Sequence, residues 1–166
     1  MQPTPSFRAR AIAMDAEIDP ALVMRYFGNK EKLFAAAADF DLRLPKLGDL
    51  PRDQVGAALV RHFIQRWEAD NTFMALLRVA VTNEAAAQQV TAVFAGQVLP
   101  ALGPLAGSKL ALRAGLVSSQ ILGLALSRYV LRLPPAVAMT EAEVVACVGA
   151  TLQHYITGDL SGPLVR

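Results

Sequence analysis

Cysteine is almost missing from this chain: Cys147 stands alone in 166 residues. A single thiol cannot close an internal disulfide or build a cysteine-cluster zinc site, and it fits a reducing compartment, so the expected location is the cytoplasm. Histidine is scarce too. His62 and His154 lie far apart, and no carboxylate stands at ligand spacing from either, so neither a metal nor a cofactor is expected. Charge is low at 18% of residues against 54% hydrophobic, so much apolar surface must be buried, partly between subunits. The formal net charge of +2 is spread evenly, with seven Lys/Arg against six Asp/Glu in residues 1–46 and nine against eight beyond. That balance is compatible with nucleic acid and is too weak to argue for it. The opening MQPTPSFRAR has no apolar h-region, so no signal peptide is read.

Catalytic constellations are lacking as well. No nucleophile–base pair, paired carboxylates or glycine-rich phosphate loop stands out, so a binding protein is expected and an enzyme is not. No Asn-Gly or Asp-Gly dipeptide and no sustained apolar/polar alternation appears, which leaves an all-α chain. The longest apolar run, LALRAGLVSSQILGLALSRYVL at 110–131, holds Arg113 and Arg128 among several polar residues. It reads as a buried helix of a soluble protein, with no membrane partner.

Proline and glycine divide the rest. Residues 7–16 form a short helix. Asp19 N-caps a second, over about 20–26, with Pro20 at its first position, and Gly28 ends it. Asn29 caps a third helix with the stripe Leu33, Ala37, Phe40 and Leu44, and PKLGDLP at 45–51 is a turn-rich boundary. Longer helices are expected near 52–69, 71–80, 83–102, 109–132 and 140–157. Val55, Leu59, Phe63 and Trp67 recur every four residues in the first of these, and Thr140 with Glu143 forms a capping box on the last. The expected division is a small helical part at 1–46 and a larger one at 47–166.

The two short helices have the grammar of a helix-turn-helix. Ile12, Ala13 and Ala16 can pack on Leu22, Val23 and Phe27, which turns Ala21, Met24 and Arg25 toward a major groove with Tyr26 and Lys30 at phosphate height. DPALVMRYFGNKEKLFAAAADFDLRLP resembles the recognition helix and following helix of the TetR family of bacterial regulators, and RAIAMDA resembles that family's preceding helix. LLRVAVTNEAAAQQV, QVLPALGPLAG, LRAGLVSSQILGLALSRYVLRLPP and EAEVVACVGATLQHYITG resemble the C-terminal regulatory domain of its actinobacterial-type members.

The resemblance implies a ligand-responsive, all-α homodimeric regulator, usually a repressor, that binds palindromic operator DNA and is released by a small-molecule effector. On this chain it assigns DNA contact to Asp19, Pro20, Ala21, Met24, Arg25, Tyr26 and Lys30. It places an effector pocket among Phe63, Trp67, Phe73, Met74, Arg78 and Phe94, with Arg78 suited to an anionic ligand. Gly115, Ser119, Gly123 and Ser127 make a smooth ridge at four-residue spacing. Two glycines in one helix interior cost about 1 kcal/mol each and call for a packing reason. Within a family dimer built on the last two helices, that ridge and Val144, Val148 and Leu152 meet the partner, with Cys147 beside them as a small buried residue. Three departures accompany the likeness. The family's first helix has no room before residue 7, Glu17 stands where a turn glycine is usual, and Arg8 stands where Ser or Thr caps. They motivate the alternative of a dimeric small-molecule- or partner-binding protein that has lost DNA binding through truncation.

Overall fold

The structure, a computed structural model, describes residues 40–161. The DNA-contact set from Asp19 to Lys30 and the short helices expected to carry it lie outside the described residues.

All regular structure among the described residues is helical. The expected stripe does not continue through Phe40 and Leu44, because residues 40–46 are irregular. Pro45 disfavours the helical region at Leu44, and Arg43 takes φ 51°, outside any right-handed helix. A 3-10 turn at Leu47–Asp49 follows. Helix α1 is Val55–Ala69 and α2 is Thr72–Ala80. Helix α3, Glu84–Val93, runs through a five-residue π turn, Phe94–Val98, into α4, Leu99–Ala106. Prolines sit just past the widening: Pro100 has no N–H for the carbonyl of Gly96, and Pro104 none for that of Pro100. Helix α5, Leu110–Ala125, ends in a second π turn, Leu126–Val130. Arg132 then turns the chain at φ 52° into a five-residue helix α6, Pro134–Ala138, and α7 is Glu141–Thr157. Pro134 and Pro135 start α6, since proline suits the first turn of a helix.

The described residues fall into two compact units, 40–41 with 70–93, and 42–69 with 94–161. In the first, α2 packs on α3, with Phe73, Leu76 and Leu77 of α2 and Ala86, Val90 and Val93 of α3 buried, and Phe40 stacks on Phe73 at 5.2 Å. In the second, α1 and α7 share the most extensive contact. The stripe Val55, Leu59, Phe63 and Trp67 is buried along its length, as the four-residue spacing implies.

Two glycines explain how closely α1 and α7 approach. A Cβ on Gly149 would lie 2.9 Å from Ala57 Cα, and one on Gly56 would strike the Gly149 carbonyl oxygen and come within 2.5 Å of the Gln153 amide nitrogen. Gln153 makes use of the approach. Its Oε1 accepts the Gly56 N–H at 2.9 Å, and its Nε2 donates to the Arg52 carbonyl at 2.7 Å, so α7 caps the start of α1.

The capping box forms as read. Thr140 Oγ1 accepts the Glu143 N–H at 3.2 Å, and Glu143 Oε2 accepts the Thr140 N–H at 2.7 Å. The Thr140 backbone N–H, then its hydroxyl, hold the Glu143 carboxyl below its ordinary value of 4.5. A depressed folded value means stabilisation that is complete above about 4.5 and lost as pH falls through the folded value. Thr140→Ala is therefore expected to lower stability by about 1 kcal/mol at neutral pH. The gap in thermal midpoint between wild type and Glu143→Gln should close as pH falls below 4.5, followed by circular dichroism.

Candidate functional site

The six residues expected to line an effector pocket divide between the units. Phe73, Met74 and Arg78 belong to the first, and Phe63, Trp67 and Phe94 to the second. Phe73 and Met74 are buried on α2, and Arg78 is half-buried in its last turn.

In the second unit the aromatics form a chain. Phe63 lies 5.2 Å from Trp67, and Trp67 meets the edge of Tyr129 at 5.7 Å. The Tyr129 hydroxyl donates to Glu68 Oε1 at 3.1 Å, and the Arg128 guanidinium lies 5.8 Å from the ring centre. Burial pushes the phenol above its ordinary value of 10.0, which keeps it a donor at neutral pH. Trp67 is 1% exposed, yet its Nε1–H has no hydrogen-bond partner among the described residues. An unpaired buried N–H costs about 1–3 kcal/mol, so this donor is the polar atom of the aromatic cluster that still wants an acceptor. Phe94, 8% exposed, opens the first π turn, and Tyr129 sits in the second. Such turns are often found where function needs a helix register broken. Sequence reasoning named Phe63, Trp67 and Phe94 and missed Tyr129, which carries no signal before its helix widens.

The candidate interface residues divide by exposure. Gly115, Ser119 and Gly123 are exposed and Ser127 is half-buried. A Cβ on Gly115 or Gly123 would meet nothing within 4 Å. The two serine hydroxyls turn back onto their own helix, Ser119 to the Leu116 carbonyl at 2.9 Å and Ser127 to that of Gly123 at 2.7 Å. The ridge is thus smooth and its hydroxyls are satisfied. On α7, Val144 and Leu152 are fully buried in their own unit and have no surface to offer, while Val148 is half-buried. The outward side of α7 carries Ala146, Cys147 and Ala150 instead. Cys147, read as buried, is exposed in the single chain. Beside this side an open groove of about 790 Å³ runs between α1 and α7, floored by Ala57, Ala146, Gly149 and Ala150 with Arg61 and Glu141 among its lining.

Two stretches, Glu84–Ala106 and Leu110–Val130, are long and apolar enough to cross a membrane by length and composition. Both arginines of the second are bound to backbone of the same unit. Arg113 donates to the carbonyls of Tyr155 and Gly158 at 2.7 and 2.8 Å, and Arg128 to those of Ala136 and Met139 at 2.7 and 2.8 Å. These guanidiniums fasten the end of α7 and the α6 loop to this helix, which is not the buried helix expected from its sequence: only 28% of its apolar window is buried within the chain.

The sequence model of the tetracyclin repressor-like C-terminal domain matches residues 53–156, which span α1 to nearly the end of α7. The chain belongs to this family of transcriptional regulators. No curated protein matches it. Among solved structures, the crystal structure of a TetR-family regulator from Streptomyces coelicolor A3 is similar with a TM-score of 0.54 at 21% identity, covering 94% of this chain and 98% of that one. At that identity the likeness is one of fold, and it agrees with the all-α reading.

Proposed function

We propose that this regulator is a homodimeric, ligand-responsive repressor in the cytoplasm, with residues 1–46 binding a palindromic operator and 47–166 forming the regulatory and dimerisation domain. The observation that carries the reading is the family match across 53–156. DNA contact falls to Asp19, Pro20, Ala21, Met24, Arg25, Tyr26 and Lys30, on the resemblance of that stretch to a recognition helix. Dimerisation falls to Gly115, Ser119, Gly123, Ser127 and Val148, joined by the exposed Ala146 and Ala150. The open space over both glycines supports it.

The effector reading is supported by the unpaired Trp67 N–H beside Phe63 and Tyr129. A ligand suited to that cluster has an aromatic or aliphatic body and one hydrogen-bond acceptor. An effector that prefers one conformation of the dimer lowers operator affinity by its differential binding to the two states.

The test is fluorescence anisotropy with DNA from around the chain's own coding region against a scrambled duplex, titrated with salt. Binding is expected to be selective and to weaken steeply with salt, since phosphate contacts dominate affinity. Lys30→Ala should weaken binding to every sequence alike, and Arg25→Ala should alter preference by about 1–3 kcal/mol at one base position. Binding no better than to the scrambled duplex would favour the alternative, a dimeric binding protein without DNA activity.

A further inference from the structure

Phe63, Trp67, Glu68, Arg128 and Tyr129 all belong to the second unit. Within it, two buried side-chain polar atoms have no hydrogen-bond partner among the described residues, Trp67 Nε1 and Arg113 Nε. The Arg113 guanidinium is engaged elsewhere, on the Tyr155 and Gly158 carbonyls at the end of α7. Both orphans are donors, and no buried side-chain oxygen among the described residues lacks a partner. No charged side chain among the described residues is buried either. Two charges of opposite sign flank Tyr129: the exposed Glu68 carboxylate at its hydroxyl and the half-buried Arg128 guanidinium at its ring. One terminal nitrogen of Arg128 is already given to the Ala136 and Met139 carbonyls.

We propose that the effector of this cluster is a neutral molecule that accepts one hydrogen bond and donates none, such as an aryl or alkyl ketone, ester or ether, with its oxygen on the Trp67 N–H. The inference rests on the effector reading of the cluster and adds the ligand's charge and donor count. An anion brought to this N–H would give up its water without meeting a buried cation, and that loss far exceeds what one hydrogen bond from a neutral donor returns. Carboxylates and phosphates are thereby disfavoured. A ligand hydroxyl or amine would satisfy Trp67 too, but its own donor would leave water with no orphaned side-chain acceptor to meet it. A ketone or ester oxygen pairs the indole and leaves nothing over. Phe63 is fully buried and Tyr129 half-buried, so the ligand reaches Trp67 from the Tyr129 side, where the π turn Leu126–Val130 carries the phenol.

Trp67 is the only tryptophan of the chain, so its indole N–H gives a single signal in a heteronuclear NMR spectrum of the isotope-labelled full chain. Four probes of similar size separate the possibilities: acetophenone, ethylbenzene, methyl phenyl carbinol and benzoate. Acetophenone is expected to move the indole proton downfield in a saturable way and to bind about tenfold more tightly than ethylbenzene, which has the same shape and no acceptor. Methyl phenyl carbinol should bind more weakly than acetophenone, and benzoate should leave the signal in place. Trp67→Phe should bring acetophenone and ethylbenzene to equal affinity, read by calorimetry, and the wild-type series decides the question by itself if that variant folds poorly. Benzoate binding as tightly as acetophenone would overturn the neutral class while leaving an effector site at Trp67. Ethylbenzene or the carbinol binding as tightly as acetophenone would overturn the acceptor-only class in the same way. An indole signal that none of the four moves would overturn the inference together with the effector reading of this cluster, leaving operator binding to be judged by anisotropy.

Discussion

A Gly56→Val chain is expected to lose about 3–5 kcal/mol of stability, a large share of the roughly 5–15 kcal/mol that holds an ordinary domain folded. The reason is backbone, not side chain. The added Cβ meets the Gly149 carbonyl oxygen and the Gln153 amide nitrogen, neither of which can swing aside as a flexible side chain would. Relief requires α1 and α7 to separate, and separation also breaks the Gln153 bonds to Gly56 and Arg52 that cap α1. Chemical denaturation followed by circular dichroism measures the loss. Gly103→Ala, on α4 and outside the candidate interface, is the internal control. Its methyl enters open space in a helix interior, so it should raise stability by up to about 1 kcal/mol. A Gly56→Val chain as stable as wild type would mean that α1 and α7 do not approach as closely as described.

The contrast between these glycines shows what could be read from sequence. Helix periodicity was legible: Val55, Leu59, Phe63 and Trp67 are spaced for one face, and that face is buried. Thr140 and Glu143 were legible because both halves of a capping box lie within one turn. Gly115 and Gly123 announce themselves by regular spacing. Gly56 and Gly149 do not, because each is isolated in its own helix and their meeting is a fact of tertiary packing. The same holds for Gln97 and His62, two polar residues whose common partner is a backbone peptide far from either in sequence. The π turns were hidden because one surplus residue barely disturbs a hydrophobic pattern, and with them went the position of Tyr129. Val144 and Leu152 were assigned to the interface by helix membership alone. Four-residue steps drift slowly around a helix, and these two fall on its inward side, leaving the outward side to Ala146, Cys147 and Ala150.

Gly123→Leu is expected to raise the dimer dissociation constant by at least about a hundredfold, equivalent to about 2.8 kcal/mol or more at a tightly packed interface position. In the single chain a Cβ at Gly123 has nothing within 4 Å, so the substitution should leave the protomer folded and its circular dichroism unchanged. The damage appears only where a second helix lies on the ridge. Glycine there lets two backbones approach, Ser119 and Ser127 keep their hydroxyls on their own carbonyls, and a leucine would hold the helices apart. Cys147 offers a second readout of the same event. It is exposed in the protomer, so its reaction with a thiol reagent should be slow in the wild-type dimer and fast in Gly123→Leu. Sedimentation velocity over a concentration series gives the dissociation constant directly. A variant that dimerises as tightly as wild type would remove this ridge from the interface and require the protomers to meet elsewhere. A monomeric variant that also loses DNA affinity would tie operator recognition to the two-fold arrangement, because each half-site must then be bound alone.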